Sequence, residues 1–124
     1  MQIFKINNEM QICYSIVLEP ETVDFQGDII SAESVQEGAH DFLQKYLWGE
    51  ANMNLMHKKN VDSVKIIESF IAPVSFDWEG KSILKGSWIM GIKVFDTDLW
   101  KNIKDGKLSG FSIGGTGKRT IEEE

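Results

Sequence analysis

The spacing of apolar side chains changes period early in this chain, and that change restricts it to folds in which a sheet packs against helices. In residues 11–18, Ile12, Tyr14, Ile16 and Leu18 recur at every second position, the repeat of a strand with one apolar face. Pro20 ends that strand, and the polar run Asp24-Phe25-Gln26-Gly27-Asp28 reads as a turn. Across residues 31–48 the repeat becomes helical: Val35, Ala39, Phe42, Leu43, Tyr46 and Leu47 share one face. Ser34 followed by Glu37 has the form of a capping box, Ser31 is an alternative N-cap, and Gly49 is a stop signal. His40 falls off the apolar stripe and is expected at the solvent side.

The rest of the chain reads mostly as strands. Residues 53–57 are a short apolar run that suits a strand, followed by Lys58-Lys59-Asn60 as a turn. Residues 64–74 are β-branched and apolar, with Pro73 marking an end or an edge. Asp77-Trp78-Glu79-Gly80 is a turn signal, and residues 83–95 form a second long strand region in which Gly86 and Gly91 mark bends or bulges. Asp96 and Thr97 suit the N-cap of a short helix through Lys104, with Leu99, Trp100 and Ile103 facing inward and Gly106 closing it. The final strand covers residues 108–113. The expected class is α+β: a mixed or mostly antiparallel sheet, with closure into a small barrel as one option, and two helices packed outside. One domain over residues 1–121 is expected, with 122–124 as an acidic tail.

Composition removes several function classes. A net charge of -6 without a dense Lys/Arg patch argues against nucleic acid as partner. No apolar run approaches the ~20 residues of a membrane span, and no signal peptide is visible, so a soluble cytoplasmic protein is expected. The single cysteine, Cys13, forbids an internal disulfide and reads as a small buried side chain. Two histidines and one cysteine without ligand-like spacing make no zinc site, so neither metal nor cofactor is expected. Asp96 and Asp98 read as helix-capping and dipole partners rather than an acid/base pair. The four Trp are expected in the core or as walls of a substrate groove.

The most informative stretch is Gly110-Phe111-Ser112-Ile113-Gly114-Gly115-Thr116-Gly117-Lys118-Arg119. A phosphate-binding loop would need Gly where Ser112 stands and Ser or Thr where Arg119 stands, so that reading fails. The string matches the Gly-x-Ser-x-Gly elbow of α/β-hydrolases, but that elbow requires a histidine after the serine, and none follows Ser112. A third reading keeps serine chemistry with an upstream base. A serine hydroxyl is a weak nucleophile until a base takes its proton, and only His40 and His57 are available. In the fourth reading Gly-Gly-Thr-Gly simply ends a strand, and the string by itself favours this one.

In order along the chain stand Val23-Asp24-Phe25-Gln26-Gly27-Asp28, Met56-His57, Glu68-Ser69-Phe70-Ile71-Ala72-Pro73, Lys85-Gly86-Ser87-Trp88, Asp98-Leu99-Trp100 and Gly110-Phe111-Ser112-Ile113-Gly114-Gly115. Together they resemble the phage prohead proteases, in particular the XkdF-like phage serine proteases. The resemblance implies a herpesvirus assemblin-like fold, a small barrel flanked by helices, in which histidine precedes serine. It implies a serine endopeptidase that cleaves scaffold and capsid proteins during capsid maturation, in the host cytoplasm within the assembling prohead. It assigns Ser112 as nucleophile and His57 as base, and it leaves a homodimer open. The second histidine that assemblin-like enzymes place after the serine is missing here. Glu68 is the expected acid behind His57: it is a charge inside an apolar strand that follows the His57 turn. Asp62 and Asp98 are alternatives. Amides of Gly114 and Gly115 are candidate oxyanion donors, with Lys118 or Arg119 as electrostatic helpers. The rival reading is an inactive capsid- or portal-associated binding domain of the same fold. A weaker rival is a small-molecule esterase or amidase.

Overall fold

The computed structural model describes residues 1–21, 27, 29–54 and 63–115, with side chains described for all of these except 52–54 and 112–115. Its elements run β1 (Gln2–Asn7), β2 (Ile12–Leu18), α1 (Ala32–Leu47), β3 (Ala51–Asn54), β4 (Val64–Ile71), β5 (Phe76–Trp78), β6 (Lys81–Ile83), β7 (Trp88–Val94), α2 (Thr97–Lys104) and β8 (Ser112–Gly115). The main sheet has the order β1-β2-β7-β4, and every neighbouring pair is antiparallel. β3 pairs with β8 and β5 with β6 in two further antiparallel ladders.

The two faces of the main sheet follow from the alternation of side chains along β7. Trp88, Met90, Ile92 and Val94 point to one face. There they pack with Cys13 and Val17 of β2, with Val35, Ala39 and Phe42 of α1, and with Leu99, Trp100 and Ile103 of α2. Trp88 is fully buried, its ring tilts against Phe42 at 5.9 Å, and its indole N–H donates to Ser69 Oγ at 3.0 Å. Ile89 points to the other face. It packs there with Ile83 and Ala72, and Phe4, Ile16, Phe70, Phe76 and Trp78 join them. Burial on both faces explains why β7 reads as a continuous apolar run.

The second helix starts at the expected Asp96 cap, whereas the first starts at Ser31, the alternative: Ser34 lies inside α1, so the Ser34–Glu37 capping box is not the cap used. Ser31 accepts from the Ser34 amide, and Asp96 accepts from the amides of Asp98 and Leu99. His40 is exposed, as its place off the stripe requires, and Cys13 is fully buried. No helix among the described residues is long and apolar enough to cross a membrane.

Three expectations need correction and one is sharpened. The described strands close no barrel: the main sheet is open, with β1 and β4 at its ends. The strand region at 83–95 is two strands, because Gly86 at φ +92° turns the chain between β6 and β7. The turn signal at 77–80, by contrast, is borne out: Glu79 and Gly80 form the loop of a β-hairpin, and both have positive φ, as a type I′ turn demands. Leu47, assigned to the inward stripe, is 72% exposed, and so is Trp48. The acidic tail and the turn at 24–26 lie outside the described residues.

Candidate active site

Ser112 opens β8, and the chain reaches it from α2 through a short, well-anchored connection. Gly106 has φ +80°, and the amides of Lys107 and Leu108 both donate to Asn102 O, at 2.9 and 3.1 Å. Leu108 and Phe111 then plug into the core beneath α1, which fixes the connection from its inner side. Its outer side lies along the start of β1, where Gln2 bridges to Gly110.

β8 runs antiparallel to β3, with Ser112 opposite Asn54, Ile113 opposite Met53, Gly114 opposite Asn52 and Gly115 opposite Ala51. α1 leads directly into β3 and packs on both strands of this ladder. Directly opposed residues in an antiparallel pair have Cα atoms ~4.5–5.5 Å apart. The backbone of Ser112 therefore stands beside the residue from which the chain continues to His57, three positions further on in the sequence. His57 itself lies outside the described residues, as do Asp62, Lys118 and Arg119.

Glu68 sits in a different setting. It belongs to β4, opposite Gly91 of β7, and Gly91 is also opposite Tyr14 of β2. The three positions share the sheet face of Ile16, Ile89 and Phe70, away from α1. There the Tyr14 hydroxyl donates to Glu68 Oε2 at 3.0 Å. A side chain at position 91 would stand 3.0 Å from Tyr14 Cε1 and 3.1 Å from Glu68 Cβ, so glycine is what lets the pair meet across β7. Tyr14 also packs on Trp78, and the Lys5 ammonium lies 5.9 Å from both ring centroids while bonding Glu79 at 3.0 Å. Burial raises the Tyr14 hydroxyl above its usual pKa, and the hydrogen bond to Glu68 and its negative charge add to the shift. The structure thus brings Glu68 to Tyr14, whereas Ser112, Gly114 and Gly115 share the ladder with β3 on the α1 side.

The remaining candidates fall into structural places. Asp96 caps α2 and Asp98 lies in its first turn. Cys13 donates its thiol to Ile92 O at 3.7 Å, and burial pushes its pKa up to about 12, which leaves no thiolate for nucleophilic chemistry at neutral pH. Two features escaped the sequence reading: β1 as the neighbour of the Ser112 connection, and Tyr14 as the partner of Glu68. The second had a signal in Tyr14, which stands between Ile12 and Ile16 on one face of β2, so its hydroxyl calls for a partner there.

Comparisons with known proteins agree over nearly the whole chain. The family model described as "Putative phage serine protease XkdF" matches residues 1–122. "Uncharacterized protein YqbD" of Bacillus subtilis (strain 168) is 34% identical over 117 residues, covering 94% of this chain and 34% of that protein. "Phage-like element PBSX protein XkdF" of the same organism is 33% identical over 117 residues, covering 94% of this chain and 40% of that protein. The chain spans well under half the length of these curated relatives. No solved structure matches it.

Proposed function

The chain belongs to the family described as "Putative phage serine protease XkdF", and on that premise we propose that it is a serine endopeptidase domain in which Ser112 is the nucleophile and His57 its base. The observation that carries the reading is the β3–β8 ladder, which sets Ser112 opposite the end of the strand leading to His57. In this mechanism His57 takes the proton of Ser112 Oγ as that oxygen attacks the scissile carbonyl. The imidazolium then protonates the departing amine, leaving an acyl-enzyme. A water activated by the same imidazole hydrolyses the ester and regenerates the hydroxyl. Amides of Gly114 and Gly115, next along β8, are the proposed donors to the developing oxyanion, a contribution worth about 10²–10³ in rate per donor. No metal or cofactor enters these steps.

The proposed substrates are scaffold and capsid proteins, cleaved within the assembling prohead in the host cytoplasm. Support comes from the prohead-protease resemblance and from a relative whose name places it in a phage-like element. The likeness to herpesvirus assemblin belongs to this proposal as well.

The test is co-expression of the chain with the capsid and scaffold proteins of its phage, with cleavage read by mass spectrometry. Ser112→Ala and His57→Ala should each abolish the products. Cleavage that persists in both variants overturns the assignment. A folded wild-type chain that cleaves nothing but binds the capsid protein marks it as the non-catalytic module. Glu68→Gln tests the orienting acid separately. A fall in kcat with an altered pH profile supports that role, and unchanged kinetics assign the carboxylate to Tyr14 alone.

A further inference from the structure

We propose that the first residues of β1 and Gly110 form a backbone clamp that positions the Ser112 strand, so that Gly110 is a positioning residue for the reaction. This rests on the reading of Ser112 as nucleophile. The clamp is a short antiparallel ladder on the edge of β1 that faces away from β2. The Ile3 amide donates to Ser109 O at 3.0 Å. Met1 and Phe111 exchange two bonds: the Phe111 amide donates to Met1 O at 3.2 Å, and the Met1 nitrogen donates to Phe111 O at 3.1 Å. Phe111 is the residue immediately before Ser112. The main sheet is thereby joined, through main-chain groups, to the strand that carries the nucleophile.

Gly110 sits at the centre of this ladder, bridged to Gln2. A Cβ at position 110 would overlap the Met1 carbonyl oxygen, and it would also stand 3.5 Å from Gln2 Cα. Both neighbours are backbone, so no side chain can swing aside to make room. Any larger residue must therefore part residues 109–111 from β1. Leu108 and Phe111 are packed in the core on the inner side, so the parting has to shift the Phe111 backbone, and Ser112, the next residue, moves with it. A nucleophile misplaced by about 1 Å can lose about 10²-fold in rate, so a shift well below the scale of unfolding is enough to be seen. The glycine before the serine is thus required by the approach of β1, a reason independent of any elbow geometry.

Two variants test the clamp. Gly110→Ala imposes the overlap. Because it risks misfolding, a semisynthetic chain joined at Cys13 replaces the Ile3 amide by an ester, which removes that donor to Ser109 O and keeps the isoleucine side chain. Gly38→Ala, where a Cβ meets nothing within 4 Å, is the control. Two readouts are taken on folded protein: hydrogen-exchange protection of the β8 amides, and the rate of Ser112 labelling by a fluorophosphonate. The Ile3 ester should lower β8 protection and slow labelling by about tenfold or more, with KM for a peptide substrate unchanged, and Gly38→Ala should alter neither. Labelling at the wild-type rate in the ester overturns the proposal, as does unchanged β8 protection. If wild-type Ser112 is not labelled at all, the protease reading has failed. The clamp then stands or falls on the exchange data alone.

Discussion

Replacing Phe111 by alanine removes the ring that anchors the Ser112 connection from within. Phe111 is 2% exposed and shares the α1-side core with Trp88, Met90, Leu108 and Phe42. Truncating a buried phenylalanine costs about 3–5 kcal/mol, part from lost transfer of apolar surface and part from the cavity left behind. A domain of 124 residues has an unfolding entropy of about 0.26 kcal/mol/K, so a loss of about 4 kcal/mol lowers Tm by about 15 °C. Urea unfolding followed by tryptophan fluorescence should show the midpoint falling at an unchanged m-value, since the area exposed on unfolding hardly alters. Phe111→Leu, which keeps most of the volume, should cost less than about 1.5 kcal/mol. A Phe111→Ala loss below about 1 kcal/mol at constant m would refute the reasoning. It would mean that the ring is not part of the core and that residues 109–111 are not held from the inner side.

Cys13 should react with a disulfide reagent at pH 8 about a thousandfold more slowly in the folded protein than in urea, because burial raises its pKa from 9.0 to about 12; equal rates would place the thiol at the surface. Tyr14→Phe removes the donor to Glu68 and should cost about 1 kcal/mol in urea unfolding at pH 7. The folded-state pKa of Tyr14 lies above its unfolded value, so this contribution is full below the ordinary tyrosine range and fades as pH rises through the folded value. Stability should therefore fall less steeply above pH ~10 in the phenylalanine variant, and identical slopes would refute the Tyr14–Glu68 coupling. Gly86→Ala puts a Cβ at φ +92° and 3.0 Å from Pro20 Cγ, so about 1–3 kcal/mol should be lost in thermal or urea unfolding, and an unchanged Tm would count against the turn.

What could be read from the chain alone was local. The caps at Ser31 and Asp96 involve residues two or three apart, so composition reports them directly. The alternation in β2 and the stripe of Val35, Ala39 and Phe42 record which side is buried, because burial selects those side chains one by one. Sequence pattern fails where a neighbour distant in the chain sets the outcome. β1 shows no clean alternation because a register shift between Ile3 and Lys5 changes which side chains face the core. Leu47 joins the stripe by spacing but is the last residue of its helix, one past Tyr46, and is exposed there. Glu68 looked like an acid waiting for a base. Folding across the small residue Gly91 brings Tyr14 to it, a partner that no local spacing records. The glycine-rich serine segment shows both limits at once. Its residues name a candidate nucleophile, since serine chemistry and family resemblance are carried by residue identity. Only the tertiary structure set Ser112 beside β3 and its approach against β1, because strand pairing depends on which edges meet in space, and no spacing within residues 110–119 records that.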